Sequence, residues 1–192
     1  MKISLIRHAQ TYANVNHILA GWTDVDVTEK GLLEIKNYKE KGYYKEGTHY
    51  FSSDLKRCLK TAKIIAPDKD ILINHRLREI NFGDDENKTY SEVGNENYFR
   101  NWANNNFKPF NGESIKEFKE RVNLIINEII QKNYNEENHI VIFTHSGFIR
   151  AILHNFFENE KGFWKFDVKN GLGYELQIDK VKKIKAIKPI GE

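Results

Sequence analysis

The segment His139-Ile140-Val141-Ile142-Phe143-Thr144 constrains the fold of this chain more than any other. Four successive apolar side chains point alternately to opposite faces, so neither face of the strand is suited to water. Such a strand belongs inside a sheet covered on both sides, the environment of parallel strands in α/β folds. It runs directly into His145-Ser146-Gly147 and a helix that reads from Phe148 to about Phe157. Ile3-Ser4-Leu5-Ile6 is a second strand of this kind, and it ends at Arg7-His8.

The rest of the chain alternates in the same way. Thr28 is placed to cap a helix that Lys41-Gly42 ends. His49-Tyr50-Phe51 reads as a strand, and Ser52-Ser53-Asp54 supplies N-cap residue types for a helix from Leu55 to about Ala66, where Pro67 stops it. Ile71-Leu72-Ile73 reads as a third buried strand. Ser114 and Glu117 fit a capping box, and Ile115, Phe118, Val122, Ile125 and Ile129 recur at helical steps. Leu172 to Ile178 reads as the last regular strand, and Lys180, Lys182, Lys183, Lys185 and Lys188 fit a solvated edge strand better than a nucleic-acid contact. Residues 81–111 are rich in Asn, Gly, acids and aromatics, and read as an insertion with one or two short helices. The alternation predicts an α/β fold with a mostly parallel central sheet, and 192 residues without a linker or repeat predict a single domain over 1–192.

Several classes are excluded. No apolar run approaches the ~18 residues of a membrane span, and MKISLIRHAQ lacks the apolar core of a secretory signal. With Cys58 as the one cysteine, no intrachain disulfide can form. These features predict a cytoplasmic protein without membrane or nucleic-acid partners. A cysteine phosphatase would need an arginine six residues after Cys58, where Ile64 stands. His17, His49, His75, His139 and His154 are isolated, so no metal site is expected.

Ligands of parallel sheets bind beyond the carboxyl ends of the strands. Two such ends carry histidine, His8 and His145. Arg7 adjoins the first, and Arg57 opens the helix after the neighbouring strand. Neutral imidazole is a competent nucleophile near pH 7. A phosphoryl group in transfer spreads charge over its equatorial oxygens, which guanidiniums, a second imidazole and helix N-terminal amides can hold without a metal.

LIRHAQTYAN resembles the Arg-His-Gly motif of the histidine phosphatase (phosphoglycerate-mutase-like) superfamily. GWTDVDVTEKG, SSDLKRCLKTA, LREINFG, NGESIKEFKERV and VIFTHSGFIRAIL resemble further blocks of that family, in order. The resemblance implies a three-layer α/β/α sandwich and chemistry needing no metal or organic cofactor. It implies that His8 is phosphorylated, that Arg7, Arg57 and His145 form the phosphate pocket, and that Glu79 is the proton donor. Asn14 is implied as a phosphate contact or a brace of the loop, the amide of Ser146 as a phosphate contact, and Thr23 in the second block is a candidate substrate contact. The implied partner is a small phosphorylated metabolite; neither its identity nor an oligomeric state follows.

Ala9 stands where the family has glycine, and Gln10 where glutamate is common. Asp85-Glu86-Asn87 replaces the usual Trp-Glu-Gly, which predicts acids in an apolar wall and a pocket that disfavours strongly anionic leaving groups. GWTDVDVTEKG is close to the mutases, but Ile80-Asn81-Phe82-Gly83 lacks their His-Tyr-Gly run and the insertion is short. A phosphatase is therefore expected, with a mutase and a non-catalytic phospho-ligand binder as alternatives.

Overall fold

The computed structural model describes residues 1–104, 107–157 and 162–191. Its centre is a six-stranded sheet made of β1 (Lys2–Arg7), β2 (His49–Ser52), β3 (Ile71–Ile73), β4 (His139–Thr144), β5 (Gly173–Ile178) and β6 (Ile184–Pro189). The strand order is β3-β2-β4-β1-β5-β6. The first four in that order are mutually parallel, whereas β5 and β6 join antiparallel.

Helices cover both faces. Period-2 alternation sends Ile3 and Leu5 of β1 and Ile140 and Ile142 of β4 to one side. There they pack with α5 (Ile115–Asn133) and α6 (Ser146–Phe156). Ile6, Val141 and Phe143 face the opposite side, against Cys58 and Ala62 of α3 (Lys56–Ile65). α2 (Glu29–Glu40) packs beside α3, and its Ile35 meets Ala9 and Val27. The α/β/α layering is as expected.

The capping box at Ser114 is present, with Glu117 returning to the Ser114 N–H at 2.8 Å. α6 begins at Ser146, two residues before the position read from the sequence, so His145 is its N-cap. The expectation that Ile71-Leu72-Ile73 is buried fails: β3 is an edge strand, and Leu72 and Ile73 are 60% and 59% exposed. The lysine-rich tail forms β6, the other edge, where Lys188 lies 3.1 Å from Glu175. Among the described residues of 81–111, the one α-helix is α4 (Glu96–Ala103). Its fully buried Trp102 donates to the Glu113 carbonyl and packs on Phe118, Phe163 and Trp164. No helix among the described residues is long and apolar enough to cross a membrane.

Candidate active site

β1 and β4 are adjacent and in parallel register, with Arg7 opposite Thr144. Each chain therefore turns out of the sheet at the same level, and the next residues, His8 and His145, bring their ring centroids to 5.2 Å. Both lie on the α3 side, as their strand parity requires, whereas Arg7 shares the parity of Leu5 and points toward α6.

His8 is 5% exposed, and its Nδ1 lies 2.7 Å from the Ala9 carbonyl. A carbonyl only accepts, so Nδ1 carries the proton and Nε2 keeps its lone pair. Burial, then the charges of Arg57 and Arg7, hold the His8 pKa well below the ordinary imidazole value. Ala9 is fully buried, has no left-handed backbone, and its N–H donates to Thr61 Oγ1 at 2.8 Å; the Cβ in place of glycine is accommodated. Gln10 turns from the site and accepts from Thr28, the cap of α2, at 3.0 Å.

Arg57 is fixed by four hydrogen bonds: Nη1 to the Thr23 carbonyl, Nη2 to those of Ala20 and Gly21, and Nε to His145 Nδ1 at 3.2 Å. One N–H on Nη1 remains for a ligand. Because Nδ1 of His145 accepts from Arg57, its Nε2 carries the proton and meets Ser53 Oγ at 3.0 Å. Burial first, then Arg57 and His8, lower the His145 pKa as well. His145 is fully buried, with its ring edge-on to His8 and its nitrogens held by Arg57 and Ser53. Burial pushes the Cys58 thiol up to about 12, which makes it an unreactive neighbour of His145.

Arg7, His8, Asn14, Arg57, Glu79 and Ser146 line one cavity of about 760 Å³. Arg7 donates through Nη1 to the Val168 carbonyl at 2.6 Å, and its buried Nε has no partner among the described residues. Asn14, in the short helix α1 (Tyr12–Val15), closes a capping box with Thr11, and its oxygen accepts from the Thr11 N–H and from Asn170, each at 3.1 Å. Any contact from Asn14 to an anion must therefore come through its amide nitrogen. Glu79 is 9% exposed; its Oε2 takes the Gly147 N–H at 2.9 Å and Ser146 Oγ at 3.2 Å, and Oε1 takes the Ile80 N–H. A Cβ on Gly147 would lie 2.2 Å from Glu79 Oε1, so the first turn of α6 must be glycine there for the carboxyl to dock.

Two expectations are displaced. Thr23 does not line the cavity; its hydroxyl donates to Glu86 at 2.7 Å. The acids at 84–86 form no cavity wall either. Glu86 turns inward and takes the backbone N–H groups of Gly21, Trp22, Thr23 and Phe82. Asp85 accepts from Tyr98 and pairs with Lys88. Glu86 thus ties down the loop whose carbonyls hold Arg57, and the predicted bar against anionic leaving groups loses its basis. Residues missed from sequence also line the site, among them Tyr90 and Arg150. The scarcity of arginine, seven among thirty basic residues, was the one available signal for Arg150.

The two depressed imidazole pKa values give a pH dependence of stability. Between the depressed native values and the ordinary ~6.5, the unfolded chain binds more protons than the native one. This contribution is complete above ~6.5 and is lost as pH falls toward the native values. In urea unfolding without phosphate, the midpoint is expected to drop between pH 7.5 and 5, and to drop less in His8→Asn. An identical drop in the variant would show that His8 takes no part.

The chain has counterparts among known proteins. The adenosylcobalamin/alpha-ribazole phosphatase of Salmonella typhimurium is 26% identical over 186 residues, 93% of this chain and 91% of that protein. The 2,3-bisphosphoglycerate-dependent phosphoglycerate mutase of Bartonella bacilliformis is 29% identical over 167 residues, 78% of each. The crystal structure of phosphoserine phosphatase from Entamoeba histolytica in complex with 3-phosphoglyceric acid superposes with a TM-score of 0.80 at 26% identity, covering 97% of this chain and 96% of that one. The family model matches residues 3–186, nearly the whole chain. A buried imidazole pair at two parallel strand ends, ringed by guanidiniums and faced by a carboxyl, is thus set in a chain that belongs to the histidine phosphatase superfamily, branch 1.

Proposed function

We propose that this protein hydrolyses small phosphomonoesters through a phosphohistidine on His8. The observation that carries the reading is the His8 imidazole itself. It is kept neutral by burial and two guanidiniums, its tautomer is fixed by the Ala9 carbonyl, and it shares a cavity with the Glu79 carboxyl. Nε2 of His8 attacks phosphorus and the ester P–O bond breaks, while Glu79 gives its proton to the departing alkoxide. Arg7, Arg57, the Asn14 amide nitrogen and the N-terminal amide of α6 at Ser146 hold the phosphoryl oxygens. His145 acts by holding Nε of Arg57. Water then attacks phosphorus, Glu79 takes its proton, and the P–N bond breaks to return neutral His8 and phosphate.

The leaving-group carboxyl favours turnover over mere binding, since a binder has no use for a proton donor facing the anion pocket. The short 81–111 segment favours water over a second sugar acid as acceptor. Rapid quenching of the protein with labelled nitrophenyl phosphate, chelator present, is expected to yield an acid-labile, alkali-stable phosphoprotein at His8 and then inorganic phosphate. Binding without label or phosphate release would overturn the reading in favour of a phospho-ligand module. Retention of label until added 3-phosphoglycerate accepts the phosphoryl group, giving 2,3-bisphosphoglycerate, would favour a mutase.

A further inference from the structure

The cavity holds a guanidinium that the hydrolytic steps do not use. Arg150, on α6, is half-buried and forms no ion pair with any described residue. Its Nε donates to the Phe166 carbonyl at 3.0 Å, and its guanidinium carbon lies 5.7 Å from the Trp164 ring centre. These contacts fix the plane of the fork, and neither terminal nitrogen has a partner among the described residues. Arg7 is anchored two residues further along the same segment, at the Val168 carbonyl. Both side chains line the same cavity. Two half-buried guanidiniums thus share one cavity, and the charge of Arg150 opposes that of Arg7. Burial and then Arg150 push the Arg7 pKa down to about 10. Such an arrangement is sustained when a ligand brings negative charge to both.

We propose that Arg150 is a specificity-determining residue that binds a carboxylate on the alcohol part of the substrate, a few atoms from the ester oxygen. The inference rests on the phosphatase reading above and narrows it to phosphomonoesters of hydroxy acids. One guanidinium matches one carboxylate in charge and in fork geometry. Of the acids at 84–86, Glu86 is turned into the 20–23 loop and Asp85 toward Tyr98 and Lys88, and Glu96, which lines the cavity, pairs with Arg100 at 4.0 Å.

The discriminating pair of probes is 3-phosphoglycerate and glycerol 3-phosphate, which differ by a carboxylate against a hydroxymethyl group. The wild type is expected to favour 3-phosphoglycerate in kcat/KM by roughly 10–100-fold, the range of a hydrogen-bonded charge pair. Arg150→Met is expected to collapse that ratio toward unity, and Arg150→Lys to leave an intermediate ratio. A purely structural arginine would lower both substrates together and leave the ratio unmoved, which would overturn the assignment. The same ratio is measured as Kd on the His8→Ala protein. A preference in binding without turnover in the wild type would uphold the carboxylate site and sink the phosphatase reading. Turnover by the wild type without the preference would do the reverse.

Discussion

His8→Ala is expected to reduce hydrolysis of nitrophenyl phosphate by on the order of 10⁶-fold, the scale seen when an enzyme loses the nucleophile of a covalent pathway. The expected loss is in kcat. The anion pocket that binds the phosphoryl group is built by other residues, and each of these has its own anchor. Arg57 is held by three carbonyls and His145, and Arg7 by the Val168 carbonyl. Titration of His8→Ala with inorganic phosphate by calorimetry is therefore expected to give a Kd within about tenfold of the wild type, since charge-stabilising donors remain in place. The contrast between a lost kcat and a kept Kd separates the nucleophile from a residue that supports the pocket. Activity surviving in His8→Ala in the presence of chelator would remove His8 from the chemistry. The inertness of Cys58 sharpens the result, because its buried thiol, raised to about 12, offers no substitute nucleophile.

The arrangement of β1 and β4 was legible in the sequence because burial on both faces leaves a mark on every residue of a strand. Once the two strands are adjacent, His8 and His145 must meet, so the centre of the site was legible with them. Glu79 was legible through the family pattern of LREINFG and not through periodicity. The direction of an acid in a loop was not. Glu86 reads as one more carboxylate in an acidic run, yet its position is decided by backbone N–H groups sixty residues earlier, which no local pattern encodes. Thr23 was displaced for the same kind of reason. A candidate substrate contact, it spends its hydroxyl on Glu86 instead. β3 misled through composition: three apolar residues are compatible with a buried strand and also with an edge, and only strand order distinguishes them. Arg150 lay on a helix whose apolar side gave no hint that its polar side closes the cavity.

Glu79→Gln is expected to lower kcat for alkyl phosphates by ~10²–10⁴-fold, the usual contribution of a general acid. The same variant is expected to keep the pre-steady-state burst of nitrophenolate from nitrophenyl phosphate. Nitrophenolate departs without a proton, so the first half-reaction then needs only His8 and the anion pocket. The second half-reaction still needs a base for water, and the steady-state rate after the burst is expected to fall. Geometry makes glutamine an informative replacement. Its oxygen can keep the Gly147 N–H and Ser146 hydroxyl that Oε2 now accepts, at 2.9 and 3.2 Å, so the side chain stays docked on α6. Its amide nitrogen then faces the Ile80 N–H, donor against donor, a modest cost that leaves the rest of the pocket in place. Loss of the burst together with the steady-state rate would mean that Glu79 supports the attack itself, through the fold of the pocket, and would remove it from the acid role. A burst that persists while alkyl phosphates stall assigns the proton to this carboxyl, because the two substrates differ in whether the leaving oxygen needs it.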